Sequence, residues 1–411
     1  MTNYNPDSEP PLPRLPVPAP ICSDVPGTWA YNTTAIRLAN IARRTLVENE
    51  FAPGIEDRIE ALIADIPTAP VRMLQQDGAP DAQDWDNYIR PYLSQNWLEA
   101  PWFFVETYFY RRLLEATGFF DPGPGKELDP FAYQKEQGLK IAVAVISALS
   151  FRLQAWIDQG FQQSHLTALL AIDLWGNRAD LSLWPADEGE QPTHAEWEVI
   201  GDHTLVDDTS QVIQYLDSFK DARVDFMVDN AGLELVTDLA LADYLLATGA
   251  AASVHLHLKM HPTFVSDAMK KDVMSTVDFL SATNDPAVAA FGKRLFNKLA
   301  NGNLILRDHP FWTSPLALWE MPKDLRTNLG QSNLIISKGD ANYRRLLGDR
   351  HWPYTTSFQD VLSYTPAPLL AIRSLKAEVA AGLGQEQITR LNKEDPEWMV
   401  NGRWGVMQFA R

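Results

Sequence analysis

Asp229 and Asn230 follow a short apolar run formed by Val224, Phe226, Met227 and Val228, and Glu234 lies one turn into the helical pattern that comes next. Asp267 follows a second candidate strand, SVHLHLK at Ser253 to Lys259. Carboxylate and carboxamide oxygens at such places suit a hard divalent cation. Lys338, Arg373 and Lys376 lie at the ends of two further strand patterns and supply local positive charge. Gly339-Asp340-Ala341-Asn342-Tyr343 leads out of a strand into RRLL and Gly348. That is a glycine turn feeding a short helix, whose first N–H groups can receive an anion. An oxygen-ligated metal, a backbone cradle and a lysine together fit a phosphate ester. The cation would polarise the phosphoryl oxygen and orient or activate a water. Lysine and the helix terminus would offset charge in the transition state. The residues leave open whether water or an aspartate attacks. Asp-Asn-Ala-Gly is also compatible with a plain turn, because these residues tolerate left-handed backbone angles.

Other constellations carry less. His255 and His257 lie two apart on a strand and share a face, a start for a zinc site that lacks a third nearby His or Cys. Asp207-Asp208 fits either a phosphoaspartate nucleophile with its partner or a loop cap, and the cap is the preferred reading. Asn177, Arg178 and Asp180 sit in a polar stretch that fits a site wall or a solvated loop. There is no G-x-x-x-x-G-K-[ST] loop and no G-x-G-x-x-G fingerprint. That counts against nucleotide-driven, nicotinamide and standard methyl-donor chemistry.

The elements that must position these residues follow from periodicity. Val224 to Leu246 reads as a buried strand, a polar turn and a helix with Leu235, Val236, Leu239, Ala242, Leu245 and Leu246 at three- and four-residue spacing, an amphipathic pattern. Strand patterns recur at Thr204 to Val206, Ser253 to Lys259, Gly302 to Leu306, Asn333 to Ile336 and Leu369 to Ile372, with helical patterns between them. Strand, polar end, helix, strand predicts an α/β fold with a doubly wound, mainly parallel sheet. In such sheets ligands bind at the carboxyl ends of the strands. Upstream, residues 28–166 read as a helical domain, including PWFFVETYFYRRLLEATG with Pro101 at a first helical position and Gly118 at the stop. The catalytic α/β domain is then 167–411. Residues 1–27 hold eight prolines and read as an extended, disordered tail, with an SH3-type ligand as a lesser option.

Composition narrows the function class. The 35 basic and 53 acidic residues give a formal charge of −18, which argues against nucleic-acid binding and against docking on anionic membranes. One cysteine, Cys22, allows no intrachain disulfide. Neither a secretory signal nor a membrane-length apolar run is present. The expectation is an intracellular protein, cytoplasmic or nuclear, with a small phosphorylated metabolite as its partner. Oligomeric state is left open.

DNAGLELVTDLALADYLL, FVSD at Phe264 to Asp267, SKGDANYRRL at Ser337 to Leu346 and RSLK at Arg373 to Lys376 together resemble the damage-control phosphatase family. PWFFVETYFYRR and LWGNRADLSL add to the likeness, which runs from about Trp29 to the C-terminus. The resemblance is to the eukaryotic subfamily described as sugar-phosphate phosphatases and also as protein-glutamate O-methyltransferases, which carries an R-T-x-K motif. Here serine replaces its threonine. The resemblance implies a helical N-terminal region on a Rossmann-like α/β/α domain. It implies Asp229, Asn230 and Asp267 as metal ligands and catalytic residues, with manganese, cobalt or nickel as the metal and magnesium as a further option. It implies that Glu234, Gly339 to Tyr343 and Lys376 bind substrate, and Arg373 joins them as a local cation. Fructose 1-phosphate and fructose 6-phosphate are the implied substrate type. Two alternatives stand beside it: an S-adenosylmethionine-dependent protein-glutamate methyltransferase and a non-catalytic sugar-phosphate sensor.

Overall fold

The computed structural model describes residues 11–75, 77–176 and 203–411. Asn177, Arg178 and Asp180 lie outside the described residues. The six expected strands form: β1 (Thr204–Asp207), β2 (Arg223–Met227), β3 (Ser253–Leu258), β4 (Leu304–Asp308), β5 (Leu334–Lys338) and β6 (Leu369–Ser374). A seventh, β7 (Gly405–Ala410), was not legible beforehand. The sheet order is β1-β7-β6-β5-β2-β3-β4. β2 to β6 are mutually parallel, while β7 runs antiparallel to β6 and carries β1 at the edge. The fold is thus α/β with a mostly parallel sheet.

Alternation along the strands divides the cores. Val224, Phe226, Leu256 and Ile336 face one helical layer. Met227, Ile335 and Ala371 face the other, which holds Trp312, Trp319 and Tyr364. The Leu233–Ala247 helix after β2 is buried from Glu234 to Leu246. It is therefore a core helix enclosed on all sides, where spacing alone suggested an amphipathic one. The Val143–Asp158 and Gln163–Trp175 helices cover it and share its core. A separate core joins Leu38, Ile59, Trp85, Tyr108 and Phe131. Leu139 and the helices after it pack instead with the sheet core, while Trp102 packs with the other sheet core. No single helix among the described residues is long and apolar enough to cross a membrane.

Residues 11–23 run without helix, as their prolines dictate, before a turn at 25–28, but from Arg14 onward they are docked rather than free. Arg14 N donates to Ser363 Oγ (2.9 Å), and Arg350 Nη1 donates to the Pro18 carbonyl (2.9 Å). Ile21 is buried and exchanges backbone hydrogen bonds with Asp349 and Trp102. This strap ties the N-terminal helices to the sheet. Ile21→Ala is expected to cost about 2 kcal/mol, read as a lowered urea midpoint. An unchanged midpoint would mean the segment does not pack.

Candidate active site

β2 and β5 are neighbours in the sheet. The chain leaves β2 for β3 and β4 on one side and returns through β5 to β6 on the other. Such a reversal opens a crevice outside the carboxyl ends of the two strands. Asp229 enters it from β2, and Gly339 and Asp340 enter it from β5. The two loops touch: Gly339 has φ +77°, and a Cβ there would stand 1.9 Å from Asp229 Oδ2. Glycine is required twice at this position, for its backbone angle and for the close approach. Asp173, Asp229, Glu234, Asp340 and Lys376 share one cavity of ≈ 180 Å³ in this crevice.

Asp229 is buried, and its Oδ1 has no hydrogen-bond partner among the described residues. Asn230 Nδ2 donates to Asp229 Oδ2 (2.9 Å) and to Glu234 Oε2 (2.8 Å). Asn230 Oδ1 accepts from Ser266 Oγ (2.6 Å). The amide nitrogen therefore occupies the place between two carboxylates that a cation would favour. Ligation through Asn230 requires the amide to turn over or Oδ1 to share its second lone pair. Asp267 bridges to Asn230 through the backbone, and its Oδ2 lies 3.2 Å from Lys259 Nζ. Burial, then the charges of Asp267 and Glu234, hold the Asp229 carboxyl well above the usual carboxylate range. Burial raises Asp267 as well, to about 6, against the opposing Lys259 ammonium. Crowded, buried oxygens of this kind are what a divalent cation relieves. Among the described residues no three His, Cys, Asp or Glu side chains gather as a metal cluster, so the donor set on offer is two carboxylates and the carboxamide.

The basic residues divide into structural and available ones. Lys338 is buried between Asp173 (2.8 Å) and Asp238 (3.1 Å). Burial opposes its charge, but these carboxylates and Glu234 raise its pKa well above the usual lysine range. It is the counter-ion of the cavity floor, not a free phosphate ligand. Arg373 is buried too. It donates to Asp340 Oδ1 (2.8 Å), to the Ala377 carbonyl (2.8 Å) and to the Val379 carbonyl, and it lies 4.4 Å over the Tyr343 ring. Its role is to fix Asp340 and β6 to each other. Lys376 is exposed at the cavity, and no described residue pairs with its ammonium.

Gly339–Leu346 is a helix that starts directly at the end of β5, as the glycine turn predicted. Gly339 and Asp340 line the cavity, whereas Ala341, Asn342 and Tyr343 do not. Asn342 Nδ2 donates to the carbonyls of Met227 (3.2 Å), Val228 (3.2 Å) and Lys338 (2.9 Å), bracing β2 against β5. Tyr343 OH donates to Gln408 Oε1 (2.8 Å) on β7. Both residues therefore brace the site from behind.

Three contributors escaped the sequence reading. Lys259 closes SVHLHLK, so a strand-terminal cation was its signal. Asp173 and Asp238 sit inside almost wholly apolar helices, and a carboxylate in such a run signals a buried pairing. Among the described residues His255 and His257 gather no metal cluster and are held by other partners: His257 Nε2 lies 2.8 Å from Asp225 Oδ1, and Arg307 Nε donates to His255 Nδ1 (3.0 Å). Asp207 Oδ1 accepts from Thr209 N (2.9 Å), as a loop cap does.

Residues 33–391 match the profile of the damage-control phosphatase ARMT1-like domain. The chain belongs to the damage-control phosphatase family. It is 33 % identical to the damage-control phosphatase ARMT1 of Danio rerio over 438 residues, covering 96 % of this chain and 97 % of that one. It is 35 % identical to the Mus musculus protein of that name over 358 residues, 81 % of each chain. The Homo sapiens protein is 31 % identical over 439 residues, 96 % of this chain and 98 % of that one. A DUF89 family protein from Pyrococcus horikoshii superposes with a TM-score of 0.47 at 13 % identity, over 92 % of this chain and 96 % of that one. Membership of the damage-control phosphatase family brings with it a phosphatase role in metabolite repair. Gly339→Ala is expected to destabilise the protein by about 1–3 kcal/mol and to push Asp229 aside, so that phosphatase activity is lost. Denaturant titration and phosphate release check both, and an active, equally stable variant would contradict the close approach.

Proposed function

We propose that this chain is a metal-dependent phosphomonoesterase acting on small sugar phosphates of the fructose 1-phosphate and fructose 6-phosphate type. Charge balance carries the reading. Among the described residues, six acidic side chains, Asp173, Asp229, Glu234, Asp238, Asp267 and Asp340, stand around the crevice against Lys259, Lys338, Arg373 and Lys376. Acidic groups outnumber basic ones among these residues, and burial with mutual repulsion holds Asp229 and Asp267 above the usual carboxylate range, a load that a bound cation would relieve. Without it, a phosphate dianion would meet a repelling wall.

Asp229, whose Oδ1 has no partner among the described residues, and Asp267 would hold the cation, joined by the Asn230 oxygen once its amide turns. Manganese, cobalt and nickel are the metals proposed, with magnesium as a weaker substitute. When bound, the cation supplies Lewis acidity at the phosphoryl oxygen. The rest falls to the chain itself. Lys376, exposed at the cavity and without an ion-pair partner among the described residues, would hold the phosphate from the solvent side. The first N–H groups of the Gly339–Leu346 helix point toward the same end. Glu234 and Asp173 offer acceptors to sugar hydroxyls. The ≈ 180 Å³ cavity lies below the roughly 300–1,000 Å³ typical for drug-sized ligands, which supports a small sugar phosphate over a ligand as large as S-adenosylmethionine.

The test is phosphate release from a panel of sugar phosphates. It uses chelator-stripped protein with manganese, cobalt, nickel or magnesium restored singly. Release is expected only with metal, and Asp229→Ala and Asp267→Ala should each lower it by about a hundredfold or more while the proteins remain folded. Release that survives chelation, or full turnover in Asp229→Ala, would refute the proposal.

A further inference from the structure

The loop that delivers Asp267 leaves β3 and returns at the Lys270–Ser281 helix. Phe264 has φ +47° and Val265 φ +68°. Ser266 N donates to the Phe264 carbonyl (2.8 Å) across Val265. A bond spanning two residues with a positive central φ is the γ-turn of the rare, strained kind. For a β-branched residue that backbone angle is a marked outlier. Such a turn persists only where its surroundings over-determine it.

The surroundings do so from two sides. On one side, Phe264 leaves the sheet domain and packs its ring against Phe103 (5.8 Å between centroids) and Tyr110 (5.3 Å). Both belong to the Trp102–Thr117 helix, and Phe264 and Val265 join the N-terminal helical core. On the other side, the residues just after the turn are knitted to the β2 loop. Ala231 N donates to the Ser266 carbonyl (2.7 Å), and Ala268 N donates to the Asp229 carbonyl (2.8 Å). Ser266 Oγ donates to Asn230 Oδ1 (2.6 Å). Asp267 therefore lies between two fixed points, one of them supplied by the helical layer.

We propose that Phe264 and the strained turn at Val265 are positioning residues for the cation site. Clamped by Phe103 and Tyr110, the turn sets Asp267 opposite Asp229 and sets Ser266 on the Asn230 amide. The helical layer is then part of the binding site without lining its cavity. This inference rests on Asp229, Asn230 and Asp267 being the cation site, and the controls separate the two ideas.

The experiment is calorimetric titration of the full chain with manganese, alongside thermal unfolding and hydrogen exchange of the loop amides. Phe264→Ala should weaken manganese binding by roughly tenfold or more, as loss of outer-sphere support does, with faster exchange at Ser266 and Ala268 and the sheet's protection intact. Val265→Pro, which cannot adopt a positive φ, should weaken binding similarly and decides the matter if Phe264→Ala does not fold. Val265→Asn, which tolerates that angle, should bind as the parent does. Equal manganese affinity in Val265→Pro and the parent would overturn the proposal. If the parent itself takes up no manganese, the cation reading fails. The exchange rates then still report on the turn: unchanged rates in Phe264→Ala would overturn the clamp.

Discussion

The contact between Asp229 and Gly339 governs the arrangement of everything around it. Two loops from neighbouring parallel strands meet so closely that no Cβ fits between them. Reversal of strand order between β2 and β5 brings those loops together. Asn342 then braces them by bonding carbonyls on both sides. With the backbone closed in this way, the Asp229 carboxylate cannot retreat from the crevice. It stays buried beside Glu234 and near Asp267, although each charge disfavours the others. A site that compresses negative charge against a rigid backbone is built to receive positive charge.

The remaining polar groups divide that load. Lys338 bridges the Asp173–Asp238 pair beneath the cavity and partly offsets it, and Lys259 offsets Asp267 at its flank. The helical layer joins the same scheme from outside. Glu106 on the Trp102–Thr117 helix pairs with Arg344, whose guanidinium lies 3.6 Å over the Trp102 ring. Lys135 reaches Asp272 (2.8 Å) at the start of the helix that follows Asp267. The elements that carry the site are thus anchored on a layer that lines none of it. Breaking a buried pair of this kind leaves an uncompensated charge, which costs far more than the pair contributes.

Much of this was legible in the sequence, for definite reasons. Parallel strands read as short apolar runs, so β2, β3, β5 and β6 and the polar residues at their ends stood out, and with them Asp229, Asp267, Gly339 and Lys376. Residue type alone could not separate partners from available groups. Lys338 and Arg373 look like phosphate ligands until the carboxylates and carbonyls that saturate them are seen. Asn342 and Tyr343 look like loop ligands until the helix turns them inward. β7 is antiparallel and inserts between strands far from it in sequence, a placement that no local pattern announces. The strap at residues 11–23 followed its prolines in being extended, but its docking depends on partners more than 300 residues away.

The central claim is that one divalent cation sits between the carboxylates of Asp229 and Asp267. Anomalous diffraction at the manganese edge, from crystals grown with manganese and a sugar phosphate, tests it most directly. The account predicts a single strong peak bonded to both carboxylates, with the Asn230 amide turned to present its oxygen and the phosphate on the Lys376 side. A peak bound elsewhere, or a sugar phosphate seated in the crevice with Asp229 and Asp267 contacting no metal, would contradict it.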